Sequence, residues 1–372
     1  MSKAKALKNP LTEVVKLGQS VWYDGLVSRE DFDRMIQEDG LRGATTNPVI
    51  FEKAIAGGQV DRLMKESGAG VTDEQIYQKI AIEAVQEVTD VFLPVYRRTQ
   101  GHDGYVSIEV SPLLAYDTEG TLREARELFK KVQRPNVMIK IPATPAGIPA
   151  IETAISEGIN INITLIFSVA RYREVMEAYL SGLETRLDRG QPVKNVASVA
   201  SFFVSRVDTA VDKILDQKIG SAKDLAQASL FRQLLGQAAI ANSKVAYAEF
   251  EELFTSERFR ALKSAGAQLQ RPLWASTGTK NPAYRDVLYV ESLIGPNTVN
   301  TIPPATLEAF RDHGQVSETL IEGLDEAKKI LEKLAFAGVA LSAVTEDLEK
   351  AGVELFNEAY LKIIKRIQEK RG

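Results

Sequence analysis

The chain has 372 residues, a formal net charge of −4, 44 % hydrophobic and 26 % charged residues, an ordinary balance for a globular protein with a large core and no generic basic surface for nucleic acid. It has no cysteine and two histidines, which excludes disulfides, thiolate catalysis, Cys-ligated zinc and a three-His metal site. Any chemistry therefore falls to Lys, Asp, Glu, Asn, Ser, Thr or Arg, and an anionic substrate needs a local cluster of cations.

The N-terminal segment MSKAKALKNPLTEVVKLGQS is polar with no apolar signal region, and no apolar run is long enough to cross a bilayer, so a cytoplasmic location off the membrane is expected. Short apolar runs then alternate with longer amphipathic ones. Strands are predicted at 20–25, 41–46, 105–110, 137–141, 159–167, 196–204, 272–276 and 298–302, Val/Ile-rich and apolar on consecutive positions, as strands buried on both faces should be. Helices are predicted at 29–39, 72–98, 119–132 and 168–187, with two more inside 207–254 and two from 317 to 370; Ser28, Asp117 and Thr118 are suitable caps. About eight strands alternating with helices point to an α/β chain forming a (β/α)8 TIM barrel. One domain across 1–372 is expected, with additional helices around 215–268 and a helical extension at 315–372. The other architecture is an open doubly wound sheet, but no GxGxxG follows the first strand.

Barrel enzymes carry their reactive groups at the C-terminal ends of the strands. Here those positions hold Asp24, Asn47, Glu109, Lys140, Asn162 with Thr164, Ser201 and Ser276. Lys140 lies between Ile139 and Ile141 in NVMIKIP. A buried lysine loses charge through desolvation, and a neutral amine can attack a ketone to form an iminium, an electron sink that lets the adjacent carbon–carbon bond break. The bland reading is a lysine that snorkels to solvent. Such a reaction needs two proton relays, and Asp24 and Glu109 supply two carboxylates; Asp24 in YDG also suits a plain turn. Asn47 before Pro48 is an ordinary helix cap that can bind substrate as well. Asn162 and Thr164, at period two, share a strand face and suit either substrate hydroxyls and a catalytic water or an internal hydrogen bond. Arg206 after SFFVS, and Ser276 and Lys280 in STGTK, suggest an anion site on helix N-termini, although STGTK lacks P-loop spacing. Of the histidines, His102 reads as part of a polar turn and His313 as a helix end.

Together GATTNPVIF (43–51), VSIEVSPLLAYD, VMIKIPATPAGIPAIETA (137–154), INITLIFS and SFFVSR, in this order, resemble the motifs of the transaldolase family. The resemblance implies a (β/α)8 barrel without metal or organic cofactor. It implies Lys140 as the Schiff-base nucleophile, and Glu109 working through a water held with Thr164 for carbinolamine formation and dehydration. Asp24 is then the group that handles the proton in carbon–carbon cleavage. Asn47, Asn162 and Ser201 bind substrate hydroxyls, and Arg206 binds phosphate with Ser276 and Lys280. The implied reaction moves dihydroxyacetone from sedoheptulose 7-phosphate or fructose 6-phosphate to an aldose phosphate, in the pentose phosphate pathway. Sugar phosphates are the expected partners. Short members often carry Arg in the seventh-strand loop; this chain offers Lys280, as in a longer branch. A fructose 6-phosphate aldolase is the nearest alternative, but Phe203 and Glu109 stand where the aldolase relatives have Tyr and Gln. A pyridoxal-phosphate barrel enzyme would be coloured, and a non-catalytic sugar-phosphate binder would keep affinity without Lys140.

Overall fold

The computed structural model describes residues 9–54 and 70–371. Its strands are Gln19–Asp24 (β1), Gly43–Thr45 (β2), Tyr105–Glu109 (β3), Val137–Pro142 (β4), Ile161–Ile166 (β5), Ser198–Phe203 (β6), Arg271–Ala275 (β7) and Thr298–Ile302 (β8). All neighbours are parallel and the sheet closes in chain order, β8 back onto β1. The open doubly wound alternative is thereby removed. Each predicted strand is present; the ends differ by up to two residues, the apolar flanks of 159–167 and 196–204 being buried beyond the paired strand residues.

The helices, in order, are Pro10–Lys16 (α1), Arg29–Glu38 (α2), Pro48–Ala54 (α3), Asp73–Arg98 (α4), Thr118–Val132 (α5), Gly147–Glu157 (α6), Val169–Asp188 (α7) and Ser205–Gly220 (α8). Then follow Leu225–Leu234 (α9), Ala238–Phe254 (α10), Glu257–Ser264 (α11), Leu288–Ser292 (α12), Pro304–His313 (α13), Leu324–Phe336 (α14) and Leu341–Arg371 (α15). Ser28 and Asp117 cap as expected, their side chains accepting from Asp31 and Gly120 N–H, whereas Thr118 is the first residue of α5 and donates to Ala146 O; Ser168 accepts from Arg171 N–H and Thr72 forms a capping box with Gln75. The sequence pattern predicts two helices within 207–254, whereas three run through it. Asp224 caps a new helix through Gln227 N–H, and Gly236, at φ +68°, turns the chain again before α10. Among the described residues no helix is long and apolar enough to cross a membrane.

The barrel interior is filled rather than open. Trp22 and Gly43 are in register on β1 and β2, and a Cβ at Gly43 would lie 2.7 Å from the Trp22 ring, so only glycine leaves room for the indole. At the N-terminal end of the barrel Arg271 donates to Ser20 Oγ (2.8 Å), to His102 O (2.7 Å) and to Asp103 Oδ1 (3.0 Å). Ser20 and Arg42 complete the shell of Asp103. His102 therefore belongs to the closed end, where the Arg271 charge, and then burial, hold its pKa below the usual imidazole value. His313 is exposed at the end of α13 between Asp286 and Asp312.

Candidate active site

The other end of the barrel is a cavity of about 330 Å³, in the range of small-ligand sites. Side chains alternate faces along each strand, so the last inward residues of several strands meet there. Asp24, Asn47, Lys140, Thr164, Ser201, Phe203, Arg206, Ser276 and Lys280 all line it. Glu109 and Asn162 are not on that lining: the Glu109 side chain is buried beside Lys140, and Asn162 is fully buried.

Lys140 is 5 % exposed. Its Nζ donates to Thr46 O (3.2 Å), lies 3.4 Å from Glu109 Oε2, and stands 5.5 Å from the centre of the Phe356 ring. The register makes the pair: Glu109 and Lys140 face each other on β3 and β4. Burial pushes the Glu109 carboxyl above the ordinary value, and the Lys140 ammonium opposes that shift. Both Glu109 carboxylate oxygens and Thr164 Oγ1 are buried without a directional hydrogen bond from the protein, which is rare for such groups.

Asp24 accepts from Thr45 Oγ1 (2.9 Å), and Thr45 Oγ1 lies 2.6 Å from Thr301 Oγ1. Asn47 does two things at once: its Oδ1 accepts from Ile50 N–H at the start of α3 (3.0 Å), and its side lines the cavity. Asn162 is fully buried; its amide donates to Ser107 Oγ (2.9 Å) and accepts from Ser201 Oγ (2.7 Å). It therefore supports Ser201 from behind instead of facing the cavity.

The cationic end is built by β6 and β7. Arg206 is in the first turn of α8, half-buried, with its guanidinium 5.6 Å from the Phe203 ring centre. Burial lowers its pKa and Asp24 opposes that from across the cavity. Ser276, at the strained φ of +57°, is fixed by Ser205: the two hydroxyls are 2.9 Å apart and Ser205 N–H donates to Ser276 O (3.0 Å). Backbone strain at a cavity wall is characteristic of functional positions.

Sequence reasoning did not single out Thr45, Thr301, Thr46, Val49, Ile50, Pro303, Leu355 or Phe356 as parts of this site. Thr45 carries a usable signal, two positions before Asn47 in GATTNP. Leu355 and Phe356 carry none, because α15 reaches the cavity from the far end of the chain. Among the described residues no group of three or more His, Asp or Glu is placed to hold a metal ion.

The family described as Transaldolase/Fructose-6-phosphate aldolase matches residues 21–367. The chain belongs to this family. It is 45 % identical over 370 residues to a protein named transaldolase from Mycolicibacterium smegmatis, with 97 % of each chain covered. It is 45 % identical over 367 residues to a transaldolase from Thermobifida fusca (96 % of this chain, 97 % of the relative). A transaldolase from Trichodesmium erythraeum is 42 % identical over 370 residues, again with 97 % of each chain covered.

Proposed function

We propose that the chain is a transaldolase, moving a dihydroxyacetone unit from a ketose phosphate such as sedoheptulose 7-phosphate or fructose 6-phosphate to an aldose phosphate, in the pentose phosphate pathway. The observation that carries this reading is a buried lysine amine 3.4 Å from a buried carboxylate, with a second carboxylate, Asp24, on the wall of the same cavity.

Lys140 Nζ attacks the C2 carbonyl of the donor. Glu109, through a water shared with Thr164, protonates the C2 oxygen to make the carbinolamine, takes up the proton that the Lys140 nitrogen sheds, and passes it to the departing hydroxyl, so that water leaves and an iminium remains. Asp24 takes the proton of the C4 hydroxyl while the C3–C4 bond breaks. The electron pair moves into the iminium to give an enamine, and an aldehyde leaves. The acceptor aldehyde enters the same place, the enamine carbon attacks it, and Asp24 returns its proton to the new hydroxyl. Hydrolysis of the second iminium through Glu109 frees Lys140. Thr45, donating to Asp24, keeps the carboxylate aimed. Asn47 and Ser201 hold substrate hydroxyls, and Asn162 positions Ser201. Arg206, Ser276 and Lys280 take the phosphate, whose two charges suit cations at a helix N-terminus.

Transfer is favoured over release of free dihydroxyacetone by the apolar cover of the cavity. Phe203, Val49, Ile50, Leu355 and Phe356 give the wall an apolar part that offers no hydrogen bond to a water that would protonate the enamine.

Borohydride reduction in the presence of fructose 6-phosphate, followed by peptide mapping, tests the scheme. A three-carbon reduced adduct on Lys140 is expected. Folded protein without an adduct would overturn the Schiff-base reading. Rapid release of dihydroxyacetone without an acceptor would assign the aldolase activity instead.

A further inference from the structure

Two carboxylates of α8 stand outside the cavity and each uses both oxygens. Asp208 accepts from Ala239 N–H (2.7 Å) and from Tyr289 OH (2.9 Å). Asp212, one turn on, accepts from Gly236 N–H (2.9 Å) and from Tyr284 OH (2.7 Å). Asp208 therefore ties α8 to the first turns of α10 and α12, and Asp212 ties it to the junction ahead of α10 and to the connection from β7 to α12. That connection is the one that carries Ser276 and Lys280. It is also braced within itself, Thr279 Oγ1 donating to Arg285 O (2.8 Å) and Asn281 Oδ1 accepting from Ala283 N–H (2.9 Å). The Tyr284 ring sits directly on Gly236, where a Cβ would come within 2.8 Å of it. Ser205 and Ser276 tie the near end of the connection to α8, and Asp212 and Tyr284 tie the far end. Lys280 is exposed between the two ties, at the border of the catalytic cavity and the cleft that holds Asp212 and Tyr284.

We propose that Asp212 and Tyr284, backed by Asp208 and Tyr289, are positioning residues for phosphate recognition. They fix the loop that presents Lys280 at a set distance from the helix that presents Arg206. The proposal rests on the reading of Arg206, Ser276 and Lys280 as the phosphate contacts. It predicts a loss confined to phosphorylated substrates. Without the far tie the loop is held at one end only, and ordering Lys280 becomes a cost of binding the phosphate.

The test uses the full-length enzyme with Tyr284→Phe, which removes one hydroxyl and keeps the ring on Gly236, and Asp212→Asn as an independent variant. With sedoheptulose 7-phosphate as donor, KM for glyceraldehyde 3-phosphate should rise about three- to tenfold, the size of one lost hydrogen bond. Inhibition by inorganic phosphate should weaken in parallel. The maximal rate, and kcat/KM for unphosphorylated glyceraldehyde, should stay within about twofold. In a Lys280→Ala background Tyr284→Phe should add nothing further. Equal losses with phosphorylated and unphosphorylated acceptor, an unchanged KM, or an additive loss in the double variant would each overturn the clamp. If Lys280→Ala alone left KM for the phosphorylated acceptor unchanged, the phosphate reading itself would fall, and the clamp with it.

Discussion

Glu109 has both oxygens buried, no directional hydrogen bond, and its one cation 3.4 Å away. A carboxylate so placed costs stability, a cost that a role in the reaction accounts for. If it is the relay for carbinolamine chemistry, Glu109→Gln keeps the shape and removes the proton exchange. The rate of borohydride-trappable adduct formation should then fall about a hundredfold or more, while KM for the acceptor changes little. Trapping at the wild-type rate would remove Glu109 from the mechanism. The sequence made this residue and Lys140 visible because a charge inside a run of Ile and Val is hard to place elsewhere. It could not separate Thr164 from Asn162, which sit at the same period on the same strand. The packing separates them: Ser107 and Ser201 engage both ends of the Asn162 amide, and nothing of the protein engages the Thr164 hydroxyl.

At the level of elements, the strands were legible because burial on both faces writes itself as consecutive apolar residues, and the long helices because caps and 3.6-residue periodicity agree. The placement of α15 was not legible. Its stripe of Phe356, Tyr360, Ile363 and Ile364 says only that one face is buried. Of this helix Leu355 and Phe356 reach the cavity. Gly352 rests against Leu165, where a Cβ would lie 2.8 Å from the leucine side chain, and Leu165 itself holds a left-handed φ of +59° beside the irregularity at the end of β5. Further along, Tyr360 packs edge-on to Tyr77, and Arg366 donates to Glu52 O. The helix is thus anchored on both sides of Phe356, whose ring lies over Lys140. Phe356→Ala should cost about 3–5 kcal/mol of stability as a buried aromatic truncation. It should also raise the release of free dihydroxyacetone relative to transfer several-fold, measured in one assay with and without acceptor. An unchanged ratio would make the helix a structural brace and nothing more.

On the scale of the whole molecule the barrel divides its polar groups by end, and the division sets what each mutation can do. The C-terminal end gathers residues far apart in the chain, such as Thr45 and Thr301, whose hydroxyls meet at 2.6 Å; only closure of β8 onto β1 brings them together, so no local pattern could announce the contact. The N-terminal end is sealed by Arg271, with a side chain 4 % exposed, and Asp103, with a side chain 1 % exposed. Neither end group of that seal reaches the cavity. Replacing Arg271 by Met fills similar space but leaves Asp103 with the Ser20 hydroxyl at 2.9 Å and, for a cation, the longer Arg42 contact of 3.4 Å. A buried carboxylate stripped of its main partner costs about 3–5 kcal/mol. The expected outcome is a large drop in the denaturation midpoint with kcat per folded molecule preserved, because the strand ends that hold Lys140 and Glu109 lie at the opposite face. The double variant Arg271→Met, Asp103→Asn should recover much of the loss, since it removes the unpaired charge instead of stranding it. Should kcat fall in step with stability in both variants, the two ends of the barrel would be coupled, and the separation of a stabilising end from a reactive end would not hold for this chain.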